Sequence, residues 1–282
     1  MTAFDHDDSV SAVRDYFDAL GDEEWERLAA SPAGRVSFVL HRRLLGRFVR
    51  SGMRVLEVGA GPGRFTVELA GLGARVVVTD LSPVQLELNG AHVAAAGADD
   101  AVEARALADI CDLSAFGPGS FDAVVAYGGP ISYAFDGADR AVAELLRVVT
   151  PGGPVLASVM STLGAYRHFL PGVIELMDLH GSDVTERILA TGDLRETQPP
   201  GSGQHLCRMF RHRELVELVH AQGGRVLASS ASNWASLADA EVLASLEADP
   251  ETWAGFLDNE EDCCSEPGAL DGGTHVLVAL TR

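Results

Sequence analysis

The chain has 282 residues, with 21 basic against 41 acidic side chains and a net charge of −20. That balance argues against a nucleic-acid partner, because affinity for a polyphosphate rests on clustered basic groups. Every basic residue is arginine, which excludes Schiff-base chemistry on lysine.

The length suits one large α/β domain with insertions, and no Pro/Ser-rich linker divides it. Cys111, Cys207, Cys263 and Cys264 form no Cys-x-x-Cys pair, so neither a disulfide framework nor a structural metal is expected. The start, Met1 to Asp8, lacks the basic-then-apolar order of a signal peptide, and no stretch approaches a membrane span. A cytoplasmic location is the expectation.

Residues 10–50 carry two helical patterns, one with Val13, Tyr16, Phe17 and Leu20 on a face, the other with Phe38, Leu44, Leu45 and Phe48. Arg54-Val55-Leu56 then reads as a buried strand and Phe65 to Ala70 as an amphipathic helix. Between them lies Glu57-Val58-Gly59-Ala60-Gly61-Pro62-Gly63. A ligand can approach backbone there only where no β-carbon intervenes, which alternate glycines permit. A dinucleotide fingerprint needs a glycine at the sixth position, where this chain has Arg64 counting from Gly59 and Thr66 counting from Gly61. A tight strand-to-helix turn is the purely structural alternative.

Arg75 to Thr79 is a β-branched run ending in Asp80. Ser82-Pro83-Val84-Gln85 follows as a capping box with proline at the first helical position. Val102 to Ala108 reads as a third strand closing on Asp109-Ile110, although Asp109 alone could serve a surface turn. Phe121 to Ala126 is a fourth strand, followed by Tyr127-Gly128-Gly129-Pro130. A helix ending near Thr150 and the turn Pro151-Gly152-Gly153 lead to a fifth strand, Pro154 to Met160. Ser161 to Cys207 is far longer than a connection needs, and its apolar residues are interrupted at Pro171-Gly172, which implies helical pieces with a break. A helix near Arg213 to Gln222 and strands at Arg225 to Ser230 and Thr274 to Leu280 complete the pattern.

The Glu-x-Gly-x-Gly-x-Gly run, with the later pieces in this order, resembles the class I S-adenosylmethionine-dependent methyltransferases of the small-molecule type over about residues 12–160. The resemblance implies a Rossmann-like doubly wound α/β sheet of seven strands, mostly parallel with an antiparallel last strand. It divides the chain into an N-terminal helical lid (1–50), a cofactor-binding core (51–160), a cap insertion (161–207) and a C-terminal completion of the sheet (208–282). It implies S-adenosyl-L-methionine as cofactor, with Glu57 and the backbone of Gly59, Ala60, Gly61 and Gly63 at the methionine part. Asp80 and Leu81 fall at the ribose, Asp109 and Ile110 at the adenine, and Tyr16 and Tyr127 join the cofactor site from the lid and the fourth strand.

In that chemistry the methyl group is carried on a sulfonium, already an excellent leaving group. The protein must mainly align the reactants and exclude water, and a base is needed only for a protonated acceptor. Tyr127, Tyr133, Tyr166, His168, His180 and His205 are candidates by location; Tyr133 and His168 are taken as catalytic, with plain packing as the alternative for each. No Asn/Asp-Pro-Pro-Tyr motif of DNA-directed enzymes is present, and acids in metal-ligand order are missing after the fourth strand, although Asp136 and Asp139 lie nearby. The expectation is metal-independent methyl transfer to an oxygen or nitrogen of a small metabolite or natural product, with a peptide end left open. The cap either covers the acceptor or forms a partner or homodimer surface. Two other classes stand beside this reading: an NAD(P)-dependent dehydrogenase, and a non-catalytic cofactor-binding protein acting through partners.

Overall fold

Continuous apolar runs set the central strands, which are buried on both faces because successive side chains of a strand point to opposite sides of the sheet. The computed structural model describes residues 6–195 and 205–282, so part of the expected cap falls outside the described residues. Seven strands run β1 (Arg54–Val58), β2 (Arg75–Asp80), β3 (Val102–Leu107), β4 (Ala123–Ala126), β5 (Val155–Met160), β6 (Arg225–Ala231) and β7 (His275–Thr281). Their order is β3-β2-β1-β4-β5-β7-β6, with β1 to β5 parallel and β7 antiparallel to both its neighbours. This is the doubly wound sheet expected above.

Each face of the sheet is buried under its own helices. Val55, Val76, Val78, Ala123 and Val125 pack against Phe65 and Leu69 of α4 (Arg64–Gly71) and Leu45 of α3 (Pro32–Phe48). Leu56, Val77, Val124, Val159 and Val278 pack against Val142 and Leu145 of α7 (Ala138–Val148) and Leu215 of α11 (His212–Ala221). Helix α5 (Pro83–Ala95) starts as its capping box predicts: the Ser82 hydroxyl accepts a hydrogen bond from the Gln85 amide at 3.0 Å.

The N-terminal region has one more helix than its two patterns suggested. Between α1 (His6–Leu20) and α3 lies α2 (Glu23–Arg27), too short for a hydrophobic period to reveal. Helices α1 and α2 are tied to α5: the Gln85 side-chain amide donates to the carbonyls of Phe17 and Gly21 at 2.9 Å each, and the Trp25 ring stacks on His92 at 4.0 Å with the Arg64 guanidinium 4.3 Å from its centroid.

The insertion after β5 folds as α8 (Thr162–His168), α9 (Leu170–His180) and α10 (Ser182–Thr191). The break falls at Phe169, one residue before the helix that carries Pro171 in its first turn, where proline costs no hydrogen bond. Two further helices, α12 (Ala240–Glu247) and α13 (Pro250–Cys264), pack Leu243 and Leu257 against Val36 and Leu40 of α3. Glu260 of α13 is buried and accepts hydrogen bonds from the amides of Trp234, Ala235 and Ser236 and from the Ser236 hydroxyl. Among the described residues no helix is long and apolar enough to cross a membrane.

Candidate cofactor and acceptor site

The strand order reverses between β1 and β4, so the loops leaving their carboxyl ends diverge and open a crevice. A cavity there is lined by Glu57, Gly59, Ala60, Gly61, Asp80, Leu81, Asp109, Ile110 and Tyr127, and roofed by Val13 and Phe17 of α1 and Glu24 and Arg27 of α2.

The glycine loop serves this cavity unevenly. Gly61 has φ +54°, and a β-carbon built on it would meet nothing nearer than the Glu24 side chain at 3.9 Å, so its backbone is bare toward the cavity. Gly63, at φ +98°, would instead drive a β-carbon to 2.9 Å from the Asn89 side chain. It is not among the cavity-lining residues, and its lack of a side chain serves the packing of α4 on α5.

Two of the carboxyl groups lining the space, Asp80 and Glu57, are buried. Asp80 Oδ2 accepts from the Gly61 amide at 2.8 Å and Oδ1 from the Ser82 amide at 2.9 Å. Burial pushes its pKa up to about 6 in spite of those bonds. Glu57 is 2% exposed. Its Oε2 accepts from the Thr66 hydroxyl at 2.6 Å, at the head of a chain that continues through the Asn89 amide, 2.9 Å from Thr66, to the Arg105 guanidinium, 2.9 Å from Asn89. Desolvation raises the Glu57 carboxyl to about 8, opposed by the Thr66 hydrogen bond and reinforced by Asp80. Asp109 Oδ1 accepts from the Cys111 amide at 2.8 Å, which fixes the turn after β3. Tyr127 lines the cavity with its ring, packed edge-on against His41 and Phe65, while its hydroxyl points at the His41 carbonyl 3.5 Å away.

A second cavity of about 610 Å³ lies on the far side of Phe17, Glu24, Arg27 and Tyr133, which are walls of both. Tyr16 opens onto this second space, with its ring 5.3 Å from that of His205. The Tyr133 hydroxyl is 2.7 Å from His205 Nε2, and burial raises the phenol well above its ordinary value while depressing the imidazole. Both groups are held neutral, and in the Nδ1–H tautomer of His205 the phenol is the donor and Nε2 the acceptor. The Glu24–Arg27 ion pair, 2.8 Å, stands beside them. His168 lines the same cavity from the end of α8, whereas Tyr166 of α8 faces a separate apolar space. His180 lines none of these three spaces.

Sequence reasoning missed Asn233, Thr274 and His275, which form another part of the second cavity's wall. His275 Nε2 has no hydrogen-bond partner there, and no local pattern marks a histidine at the first position of an otherwise apolar strand. Among the described residues no group of three His, Cys, Asp or Glu side chains is placed to hold a metal ion; Asp136 instead pairs with Arg195 at 2.8 Å.

A glycine-bare loop over β1, a carboxylate closing β2 and the order 3-2-1-4-5-7-6 together define the class I methyltransferase fold. Residues 55–153 match a methyltransferase domain family, and they lie within the Rossmann-like sheet of that fold. The chain is 29% identical over 188 residues to the tuberculostearic acid methyltransferase UfaA1 of Mycobacterium tuberculosis, covering 61% of this chain and 42% of that protein. To the demethylmenaquinone methyltransferase of Clavibacter sepedonicus it is 37% identical over 115 residues, covering 40% and 43%. The matches thus span less than half the length of these two relatives. The structure of the CcbJ methyltransferase from Streptomyces caelestis aligns with TM-score 0.59 at 16% identity over 95% of this chain and 97% of that one, a likeness of fold.

Proposed function

We propose that the chain binds S-adenosyl-L-methionine in the first cavity and methylates an oxygen or nitrogen of a small-molecule acceptor held in the second. The observation that carries this reading is that the two spaces meet at Tyr133, beside a glycine-bare loop and two buried carboxyls, Glu57 and Asp80, that form no ion pair among the described residues.

The residues fit the cofactor's chemistry. A ligand with an ammonium group and two adjacent hydroxyls would find an anion in Glu57 and a further acceptor in Asp80, a carboxylate that lines the cavity between the Gly61 and Ser82 amides. Asp109 and Ile110 are the residues for its adenine, and Leu81 and the Tyr127 ring supply apolar walls. A diphosphate would instead bring negative charge against those carboxyls. When bound, the cofactor supplies a methyl group on a sulfonium centre.

The rest is work for the protein. Helices α1 and α2 roof the first cavity and exclude water from it, which is the role proposed for residues 1–50. Residues 51–160 hold the cofactor, residues 161–207 cover the acceptor, and residues 208–282 complete the sheet. Tyr133 stands at the junction and can take a proton from a hydroxyl acceptor while passing its own to His205. His168 contributes to acceptor binding from the opposite wall. Four free thiols suit a reducing cytoplasm.

The test is thermal denaturation with S-adenosylhomocysteine, NADH or neither. A rise in melting temperature with S-adenosylhomocysteine alone is expected. A rise with NADH alone would replace this function with a dehydrogenase, and S-adenosylhomocysteine binding without turnover of any acceptor would make the chain a non-catalytic binder.

A further inference from the structure

Helix α9 carries Leu170, Val173, Ile174, Leu176, Met177 and Leu179 within eleven residues, yet none of its residues is buried. A helix this apolar should press one face into a core. Instead its inner side covers a cavity of about 230 Å³, walled by Ala165, Phe169, Val173, Leu176, Ile188 and Met209. The polar side chains on that wall are Thr162, Tyr166 and Thr185, and the Thr185 hydroxyl is already committed to the Ser182 carbonyl at 2.7 Å. The space opens to solvent beside the exposed Phe169, so an apolar occupant would take its walls out of water.

Its position says what the occupant is. Ala165 and Phe169 are walls of both this void and the 610 Å³ cavity that holds Tyr133 and His205. The large cavity presents Glu24, Arg27, His168, His205, Asn233 and His275, while the void beyond Phe169 is apolar. The two spaces thus adjoin at Ala165 and Phe169, the larger carrying these polar groups among apolar walls and the smaller apolar almost throughout.

We infer that the acceptor is an amphiphile: a polar head bearing the nucleophile sits beside Tyr133, and an aliphatic chain passes Phe169 to lie under α9. This rests on the methyltransferase reading and specifies its substrate class. An apolar cavity of roughly 150 Å³ takes up a six-carbon ring, so the void under α9 accommodates a chain of about six to nine carbons.

Calorimetric titration of the full chain, saturated with S-adenosylhomocysteine, tests this with three homologous series below their micellar concentrations: 4-alkylphenols, n-alkanols and n-alkylamines. In at least one series affinity should rise about fourfold per added methylene and level off once the chain fills the void. Leu176→Trp, which fills the void, should abolish that rise and leave S-adenosylhomocysteine affinity unchanged. Ala165→Leu narrows the passage and gives the same readout should the tryptophan variant fail to fold. Affinity independent of chain length in all three series overturns the inference. So does loss of α9's exposure through self-association, seen as a wild-type dimer that Ile174→Arg converts to monomer. Failure of S-adenosylhomocysteine itself to bind would refute the cofactor assignment instead, and is read in the same instrument before any acceptor analogue is added.

Discussion

Replacing Glu57 by glutamine isolates one buried charge. Burial holds the native carboxyl near 8, against 4.5 for the free side chain, so between those values the native state binds more protons than the unfolded chain. Stability must therefore fall as pH rises through this window, with a slope of about 1.4 kcal/mol per pH unit and an upper bound of about 5 kcal/mol in full. Two other groups act at lower pH. Asp80, held near 6, adds a loss of the same sign between about 4 and 6, while His41, depressed to about 4 by burial, contributes a gain between about 4 and 6.5. From pH 6.5 to 8 Glu57 dominates these three, and urea denaturation should record a fall of about 2 kcal/mol in the wild type that Glu57→Gln lacks. Glutamine keeps an acceptor for Thr66 and nearly the same volume, so the fold is retained. S-adenosylhomocysteine brings an ammonium group, so near pH 7 its binding should release a proton from Glu57 and none from the glutamine variant. Calorimetry in two buffers of different ionisation enthalpy reads this directly. Parallel stability curves for the two proteins, together with buffer-independent binding enthalpies in the wild type, would refute the reasoning.

Asp80→Ala removes an acceptor that also anchors Gly61 and Ser82, and should weaken S-adenosylhomocysteine binding by about 2 to 4 kcal/mol; unchanged calorimetric affinity would remove Asp80 from the site. Methyl transfer should survive exhaustive chelation, because Asp136 is committed to Arg195; activity that vanishes with EDTA and returns with magnesium would overturn that. Tyr133→Phe takes the proton donor from His205 and should lower kcat about 100-fold with cofactor affinity intact, whereas His168→Ala should raise acceptor KM; loss of melting temperature with kinetics preserved would assign either residue to packing. Glu260→Ala leaves three amides and a hydroxyl without an acceptor and should cost about 3 kcal/mol or more in urea denaturation, with S-adenosylhomocysteine affinity of the folded protein unchanged.

The sequence by itself determined what depends on near neighbours. The β-branched runs ending in Glu57 and Asp80, the Ser82-Pro83 helix start and the glycines between strand and helix are each set within a few residues by dihedral preference, capping and period. Those local units placed the acids at strand ends and, through the right-handed crossover rule, nearly fixed the sheet. Tertiary structure decided which face of each side chain meets which space. Tyr16 in the N-terminal helical pattern and Tyr133 after the fourth strand carry no local mark of the space they meet, yet α1 directs Tyr16 to the second cavity and α6 (Pro130–Tyr133) sets Tyr133 between the two. The Tyr133–His205 hydrogen bond joins residues 72 apart, and the α12–α13 pair meets α3 across most of the chain. Such contacts have no local period, because they arise only when the crossovers bring distant elements together. The raised pKa of Glu57 has the same origin: the residue is an ordinary glutamate until the folded sheet and α4 take it out of water.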